Sequence, residues 1–125
     1  MKEPYWLPRL LVDAIHAEMI REHGGSYGIR DGGLIDSALA RPRNKWGYGV
    51  TDLAELGASY AFGLVKNHGY VDGNKRVGFM AAYTFLDMHG LELKASEADV
   101  VETIEALAKG TLNEEDLAAW VRRNV

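Results

Sequence analysis

A nine-residue stretch, residues 68–76 with the sequence His-Gly-Tyr-Val-Asp-Gly-Asn-Lys-Arg, holds the only dense cluster of chemically capable side chains in this chain. His68 titrates near neutral pH and can accept a proton as a general base. Asp72 offers a carboxylate oxygen of the kind that binds Mg²⁺. Lys75 and Arg76 add two positive charges that suit a phosphorylated ligand. Together these residue types indicate phosphoryl or nucleotidyl transfer.

Two apolar segments flank the cluster and must position it. On the N-terminal side, apolar residues recur at the spacing of an amphipathic helix, which predicts a helix over residues 52–68. His68 lies four residues after Leu64, so we expect its imidazole to be the last side chain on the core-facing side of that helix. On the C-terminal side, residues 77–88 are apolar nearly all round, which predicts a helix buried on every side.

The last residues of the cluster then form the start of the second of these helices. A helix start carries unpaired backbone N–H groups and attracts anions. Asn74 is a preferred capping residue, and Gly73 lets the backbone turn without steric cost. Lys75 and Arg76 stand where the helix dipole disfavours cations, so their placement favours an incoming anion. We therefore predict that Gly73, Asn74, Lys75 and Arg76 bind phosphate.

The pattern His-x-(Phe/Tyr)-x-Asp-(Gly/Ala)-Asn-Lys-Arg resembles the signature of the Doc (death-on-curing) toxins, a branch of the Fic-fold family. The similarity extends to residues 33–42, to the predicted helix over residues 52–68 and to the length of the chain. Lys75 stands where typical Fic enzymes have Gly, and Phe79 stands where they have a second Arg, as expected for the Doc branch. The resemblance implies that Lys75 crowds the nucleotide, which then binds reversed, with its γ-phosphate toward the acceptor.

The resemblance further implies an ATP-dependent kinase that phosphorylates a Ser or Thr hydroxyl of a protein target. In that reaction His68 accepts the hydroxyl proton, Asp72 holds Mg²⁺, and Lys75 and Arg76 clamp the phosphates. The implied target is elongation factor Tu, whose modification arrests translation. The implied partner is an antitoxin that acts in trans through a tail that folds as a helix. Two alternatives stay open: AMP transfer, as in typical Fic enzymes, and a non-catalytic module that binds a nucleotide or a phosphate.

Composition bounds the remaining classes of function. A chain of 125 residues is the size of one domain, over residues 1–125. The net charge of −4 argues against a general nucleic-acid binder, because non-specific affinity for nucleic acid depends on Lys and Arg. The chain has no cysteine, which excludes disulfides and thiolate catalysis. Neither a signal peptide nor a membrane span is expected, so the predicted location is cytoplasmic.

Helical periodicity outside the motif predicts an all-α, compact single-domain bundle of about six helices. A first helix starts near Leu7 and stops at Gly24, and a short second helix is capped by Asp31 and ends at Pro42. Two further helices are expected to begin at Ser96 and Asn113. No segment reads as a confident strand.

Residues 43–51 contain two glycines and no helical period, so an exposed loop or a short hairpin is expected there. In Fic-like proteins a flap aligns the target peptide, which makes Trp46 and Tyr48 candidates for contact with the target. The alternative is that both aromatic rings fold back onto the core. His16 and His23 lie on one face of the first helix, where too few ligands converge for a metal, and surface imidazoles are expected.

Overall fold

The computed structural model describes residues 1–125 and contains six α-helices. In chain order they are α1 (Arg9–His23), α2 (Gly32–Gly47), α3 (Leu53–Asn67), α4 (Asn74–Met88), α5 (Glu97–Lys109) and α6 (Glu114–Arg123). The single extended pairing is an antiparallel bridge between Ile29 and Tyr70. The predicted all-α bundle of six helices is therefore confirmed. No helix combines the length and the apolar character that a membrane crossing requires.

Three helices begin at the predicted capping residues. The side-chain oxygens of Asp31, Ser96 and Asn113 each accept a hydrogen bond from the backbone N–H three residues further on, at 3.1, 3.1 and 2.7 Å. Each contact satisfies one of the unpaired donors at a helix start. Gly110 ends α5 with a φ of 84°, a conformation that glycine adopts without strain.

The central helix is α3, in which ten of 15 residues are buried. It packs against α2, α4 and α6. The expectation that the following helix is buried on every side is wrong, because α4 exposes Asp87 and Met88 and leaves Phe79 and Met80 half-buried. Those two half-buried residues line a cavity, and an apolar wall facing a cavity has the same sequence pattern as a buried face.

Residues 43–51 do not form a hairpin, and the second helix does not end at Pro42. Instead α2 continues through Pro42 to Gly47, and only a turn separates it from α3. A proline inside a helix costs roughly 3 kcal/mol because one backbone hydrogen bond is lost. Burial of Pro42 and packing against α3 offset this cost, and Lys45 adds an ion pair to Glu55 at 3.3 Å.

The two aromatic residues of this segment have different environments. Trp46 is half-buried against the core and meets Trp6 edge to face, with ring centroids 6.5 Å apart. Tyr48 lies in the turn after α2 and is 92% exposed. Trp46 thus folds back onto the core, and Tyr48 does not.

Gly63 provides a test of how closely α2 and α3 approach each other. A Cβ at Gly63 would lie 3.0 Å from the Cα of Ala38 and 2.8 Å from the Cδ of Arg41. We expect Gly63→Ala to lower the free energy of unfolding by about 1–3 kcal/mol, because the two backbones would have to separate. Urea unfolding measures the change.

Gly47 is the matched control, since a Cβ there would contact nothing within 4 Å. Gly47→Ala should raise the free energy of unfolding by up to about 1 kcal/mol, because alanine loses less backbone entropy in a helix. A Gly63→Ala protein as stable as Gly47→Ala would contradict the close crossing of α2 and α3.

Candidate functional site

The chain leaves α3 through a left-handed residue. His68 has φ 52° and ψ 49° and is the one residue other than glycine with a positive φ. This conformation turns the chain out of the helix, so the side chain does not continue the core-facing stripe as expected. His68 is exposed and lines a cavity instead. A strained backbone of this kind is common at functional sites, where the surrounding structure holds it in place.

The cavity has a volume of about 760 Å³ and lies between α1, α4, α5 and the motif. All six sequence-predicted motif residues contribute to its wall: His68, Asp72, Gly73, Asn74, Lys75 and Arg76. Apolar residues also line the cavity and include Phe79, Val101 and Ile104. Trp46 and Tyr48, the predicted target contacts, do not line the cavity. The cavity thus combines groups suited to phosphate with residues suited to an apolar group.

The start of α4 is the cationic end of this cavity. Gly73 occupies the N-cap position with φ 78°, and no side chain caps the helix. The expectation that Asn74 is the cap is therefore wrong, since Asn74 is the first helical residue. The backbone N–H groups of residues 74–76 have no acceptor in the protein, and the first turn contains no acidic residue. An uncapped helix start of this kind can receive an anion.

Asn74 turns its side chain inward to hold the motif loop closed. Its Oδ1 accepts a hydrogen bond from the Tyr70 N–H at 3.0 Å, and its Nδ2 donates to the Tyr70 carbonyl at 3.0 Å. The side chain is only 4% exposed. Because the Tyr70 N–H must face an oxygen, these two contacts determine which atom of the Asn74 amide is Oδ1 and which is Nδ2.

The same amide determines where the proton of His68 resides. Nδ2 of Asn74 lies 2.8 Å from Nδ1 of His68 and donates to it. A neutral imidazole that accepts at Nδ1 carries its hydrogen on Nε2. In this tautomer Nε2 is a donor and cannot accept a proton. To act as a base at Nε2, the ring must exchange tautomers and release Asn74, which costs about 1 kcal/mol for one hydrogen bond.

This tautomer can be measured directly. In buffer alkaline enough to keep imidazoles neutral, a long-range ¹H–¹⁵N spectrum should show Nε2 of His68 protonated and Nδ1 unprotonated, because Asn74 donates to Nδ1. Asn74→Asp replaces that donor by an acceptor and should move the proton to Nδ1. An unsubstituted protein with the proton already on Nδ1 would contradict the assignment.

Asp72 is held at both carboxylate oxygens. Oδ2 accepts from the Ser26 N–H at 3.1 Å, and Oδ1 accepts from the Gly73 N–H at 2.9 Å. The hydrogen bond from Ser26 is the largest cause that lowers the pKa of Asp72, and the one from Gly73 is the next. The charge of Arg76 lowers the pKa further. The carboxylate is therefore ionised at neutral pH.

The donor set can be tested for its fit to Mg²⁺. The chain has no group of three or more His, Cys, Asp or Glu side chains placed to hold a metal ion. Each oxygen of Asp72 accepts only one hydrogen bond and keeps a second lone pair. Mg²⁺ in phosphoryl-transfer sites is commonly held by one or two carboxylates and by substrate phosphates. Asp72 fits that arrangement.

Lys75 and Arg76 differ in their partners. The Nζ of Lys75 lies 2.6 Å from Oε1 of Glu105 on α5, and this contact lowers the pKa of Glu105. Arg76 makes no ion pair. Sequence reasoning missed Glu105, which lies 30 residues from Lys75 with no local signal to connect them. An incoming phosphate must compete with this carboxylate for the ammonium group.

Removing that competition should strengthen anion binding. Glu105→Gln should raise the affinity for a non-hydrolysable ATP analogue by up to about fivefold, the range expected when an exposed ion pair is released. Calorimetric titration measures the effect. Glu102→Gln removes the same charge from α5 without freeing an ion pair, and is the control. Equal effects of the two substitutions would mean that Glu105 acts only through net charge.

An extended segment over residues 26–31, between α1 and α2, runs beside the motif loop. The Val71 N–H donates to the Gly28 carbonyl at 3.0 Å. The N–H groups of Arg30 and Asp31 both donate to the Gly69 carbonyl, at 2.8 and 2.9 Å. The extended backbone nearest to the motif is therefore this segment and not residues 43–51.

The outer edge of the segment is open. Tyr27 and Ile29 are 60% and 50% exposed, and their backbone N–H and C=O groups have no partner in the protein. Unpaired backbone groups along an extended segment can pair with another extended chain.

His16 is not the surface residue that was expected. It is 4% exposed, its Nε2 lies 2.7 Å from the Asp72 carbonyl oxygen, and its ring stacks on Tyr70 with centroids 3.9 Å apart. Tyr70 is itself buried and donates from its hydroxyl to Oδ1 of Asp13 at 2.5 Å. Burial, and then the hydrogen bond to Asp13, raise the pKa of Tyr70. Tyr70 thus anchors the loop in the core.

An exposed imidazole, a held carboxylate and an uncapped cationic helix start around one cavity define a candidate anion-binding transferase site on an all-α scaffold. The sequence profile of the Fic/DOC family matches residues 6–86. The chain belongs to this family, and the family predicted from the motif is confirmed.

Two relatives extend the comparison. "Toxin Doc" of Mycolicibacterium smegmatis is 44% identical over 75 residues, which cover 58% of this chain and 57% of that protein. "Protein kinase doc" of Escherichia phage P1 is 28% identical over 111 residues, which cover 88% of this chain and 87% of that protein. The alignment with the mycobacterial toxin thus spans little more than half of either chain.

Proposed function

We propose that this chain is a toxin of the Doc type that transfers the γ-phosphoryl group of ATP to a Ser or Thr hydroxyl of a protein target. The observation that carries the proposal is the start of α4, where three unpaired N–H groups and the unpaired Arg76 share one cavity with His68. Phosphoryl transfer depends mainly on positioning and on stabilising charge, and this site supplies both. The similarity to a protein named a kinase supports the same reaction.

Each motif residue has a role that follows from its position. The N–H groups of residues 74–76, together with Lys75 and Arg76, bind the phosphate oxygens and stabilise the charge that develops during transfer. Asp72 would hold Mg²⁺, which would supply positive charge to neutralise the phosphate oxygens. Gly73 allows the backbone to turn into the helix at a positive φ, so that these donors point into the cavity mouth.

His68 accepts the proton of the attacking hydroxyl at Nε2. The ring must first carry its hydrogen on Nδ1, so the hydrogen bond from Asn74 to Nδ1 opens during the reaction. The hydroxyl oxygen then forms its bond to the γ-phosphorus while the bond from that phosphorus to the β-phosphate oxygen breaks. The proton remains on the imidazole and leaves to solvent afterwards.

The target segment is proposed to dock along residues 26–31, at the open edge formed by Tyr27 and Ile29. Pairing there would add an extended peptide next to residues 26–31, whose opposite edge pairs with the motif loop at residues 69 and 71. Residues 43–47 are helical and only Tyr48 of the predicted flap pair is exposed, so this edge replaces Trp46 and Tyr48 as the proposed contact.

Elongation factor Tu is the proposed target, and an antitoxin acting in trans is the proposed inhibitor. Both rest on membership of the Fic/DOC family and on the similarity to a protein named a toxin. The cavity is lined both by apolar residues and by the cations Lys75 and Arg76, so it suits a ligand that combines apolar and acidic groups.

A catalytically silent binding module is the second candidate. It is favoured by the resting state of His68, whose Nε2 is a donor and not a base while Asn74 holds Nδ1. Such a module would bind a nucleotide without transferring any part of it.

ATP labelled separately on the α- and the γ-phosphate distinguishes phosphoryl transfer from AMP transfer and from binding without transfer. We expect that incubation with target protein and ATP labelled on the γ-phosphate transfers label, and that ATP labelled on the α-phosphate does not. His68→Ala should abolish transfer while the affinity for ATP stays within about twofold. The free energy of unfolding should fall by no more than about 1–3 kcal/mol, because the buried Nδ2 of Asn74 loses one acceptor while the rest of the His68 side chain is exposed.

The outcomes discriminate clearly. Transfer of the α-label would identify AMP transfer, and binding of ATP with no transfer of either label would identify the binding module. A cleanly folded His68→Ala protein that still transfers the γ-label would refute the assignment of the base.

A further inference from the structure

The buried imidazole of His16 contacts the motif although neither the motif nor the family comparison assigns it a role. It projects from α1 and is 4% exposed, whereas His68 and His23 are exposed. Its ring lies flat against Tyr70, with an angle of 8° between the planes. A buried imidazole nitrogen must be satisfied, and Nε2 meets the Asp72 carbonyl at 2.7 Å.

The contact defines which atom carries the hydrogen. A carbonyl oxygen only accepts, so Nε2 of His16 must donate. Both the neutral ring with hydrogen on Nε2 and the protonated ring can do this. The hydrogen bond therefore persists whether or not His16 is charged, and its role is one of geometry and not of titration.

The carbonyl that His16 holds belongs to the peptide unit that leads into α4. In a trans peptide the C=O and the N–H point in opposite directions. Because His16 holds the Asp72 carbonyl toward α1, the Gly73 N–H points away from α1. That N–H donates to Oδ1 of Asp72 at 2.9 Å. One peptide plane thus links the imidazole on α1 to the carboxylate of Asp72.

The other contacts of the loop do not provide this link. Residues 26–31 hold the loop from its exposed side, through Gly28, Arg30 and Asp31 to backbone groups ahead of Asp72. Ser26 holds only Oδ2 of the carboxylate. His16 is the buried side chain that contacts the Asp72–Gly73 peptide. This contact orients the peptide, and with it the backbone at Gly73, where φ is 78°.

We infer that His16 is a positioning residue, which orients the Asp72 carboxylate and the start of α4 by holding the peptide plane between them. The inference rests on the proposed function only in its consequence for transfer, where Asp72 would hold Mg²⁺ beside the phosphates. A misplaced carboxylate would weaken the Mg²⁺-dependent part of nucleotide binding and slow transfer. The phosphate contacts of Lys75 and Arg76 would be left in place.

Two substitutions of His16, whose new side chains match each other in length and shape, test the inference. His16→Gln keeps a side-chain N–H that can reach the Asp72 carbonyl, and His16→Met has the same length and no donor. Both lose the stacking on Tyr70, so the comparison between them isolates the hydrogen bond. We expect kcat of His16→Met to fall about tenfold below that of His16→Gln, the loss expected for one hydrogen bond. The KM for ATP at saturating Mg²⁺ should change less than kcat.

A second measurement does not depend on activity. The Gly73 amide proton, which donates to a carboxylate in the unsubstituted protein, should resonate downfield in the ¹H–¹⁵N spectrum. It should keep that position in His16→Gln and lose it in His16→Met. Calorimetry with a non-hydrolysable ATP analogue should show that His16→Met needs more Mg²⁺ than His16→Gln for half-maximal binding.

Each outcome decides the inference. An unchanged Gly73 shift in His16→Met would overturn it. Equal losses in both variants, in proportion to a lowered urea midpoint, would reduce His16 to a purely structural residue and would also overturn it. If the unsubstituted protein transfers no phosphoryl group, the proposed function fails, but the Gly73 shift still tests the positioning role.

Discussion

The amide of Asn74 is the contact on which the geometry of the site depends. It forms two hydrogen bonds to the backbone of Tyr70 and one to the imidazole of His68, so the end of α3, the motif loop and the start of α4 meet at one side chain. The amide is buried, and an unsatisfied buried amide would cost about 1–3 kcal/mol. The loop therefore cannot open locally without losing all three contacts together. The imidazole of His68 and the uncapped start of α4 are therefore held in register by the same group.

The start of α4 has no side-chain cap, because Gly73 occupies the N-cap position. Helices α2, α3, α5 and α6 each begin with a side chain that accepts from the first turn, and α4 does not. The free N–H groups and the adjacent cations destabilise the helix start in the absence of an anion. Packing offsets this cost, because Gly78 brings α4 so close to α3 that a Cβ there would lie 2.6 Å from Val65. The tight α3–α4 contact thus helps the chain to keep an uncapped helix start.

Local chemistry could be read from the sequence, and contacts between distant segments could not. Capping side chains act within three residues, so the starts of α2, α5 and α6 were predictable. The motif residues are contiguous, so their meeting at one cavity was predictable as well. The path of α2 through Pro42 was not, because its cause is packing against a helix that follows later in the chain. Nor was the ion pair of Lys75 with Glu105.

His68 lines the cavity, but the route that brings it there differs from the expected one. The helical spacing that placed it on the core-facing stripe fails at the left-handed turn, and the imidazole reaches the cavity because the stripe ends there. Under the proposed function its resting tautomer is the unreactive one, since Asn74 donates to Nδ1. A hydroxyl that donates to Nε2 replaces the hydrogen bond lost at Nδ1, so the reactive tautomer costs little when an acceptor hydroxyl is in place. Water can make the same contact, but only a target docked beside the loop holds its hydroxyl there, and proton transfer is thereby coupled to target binding.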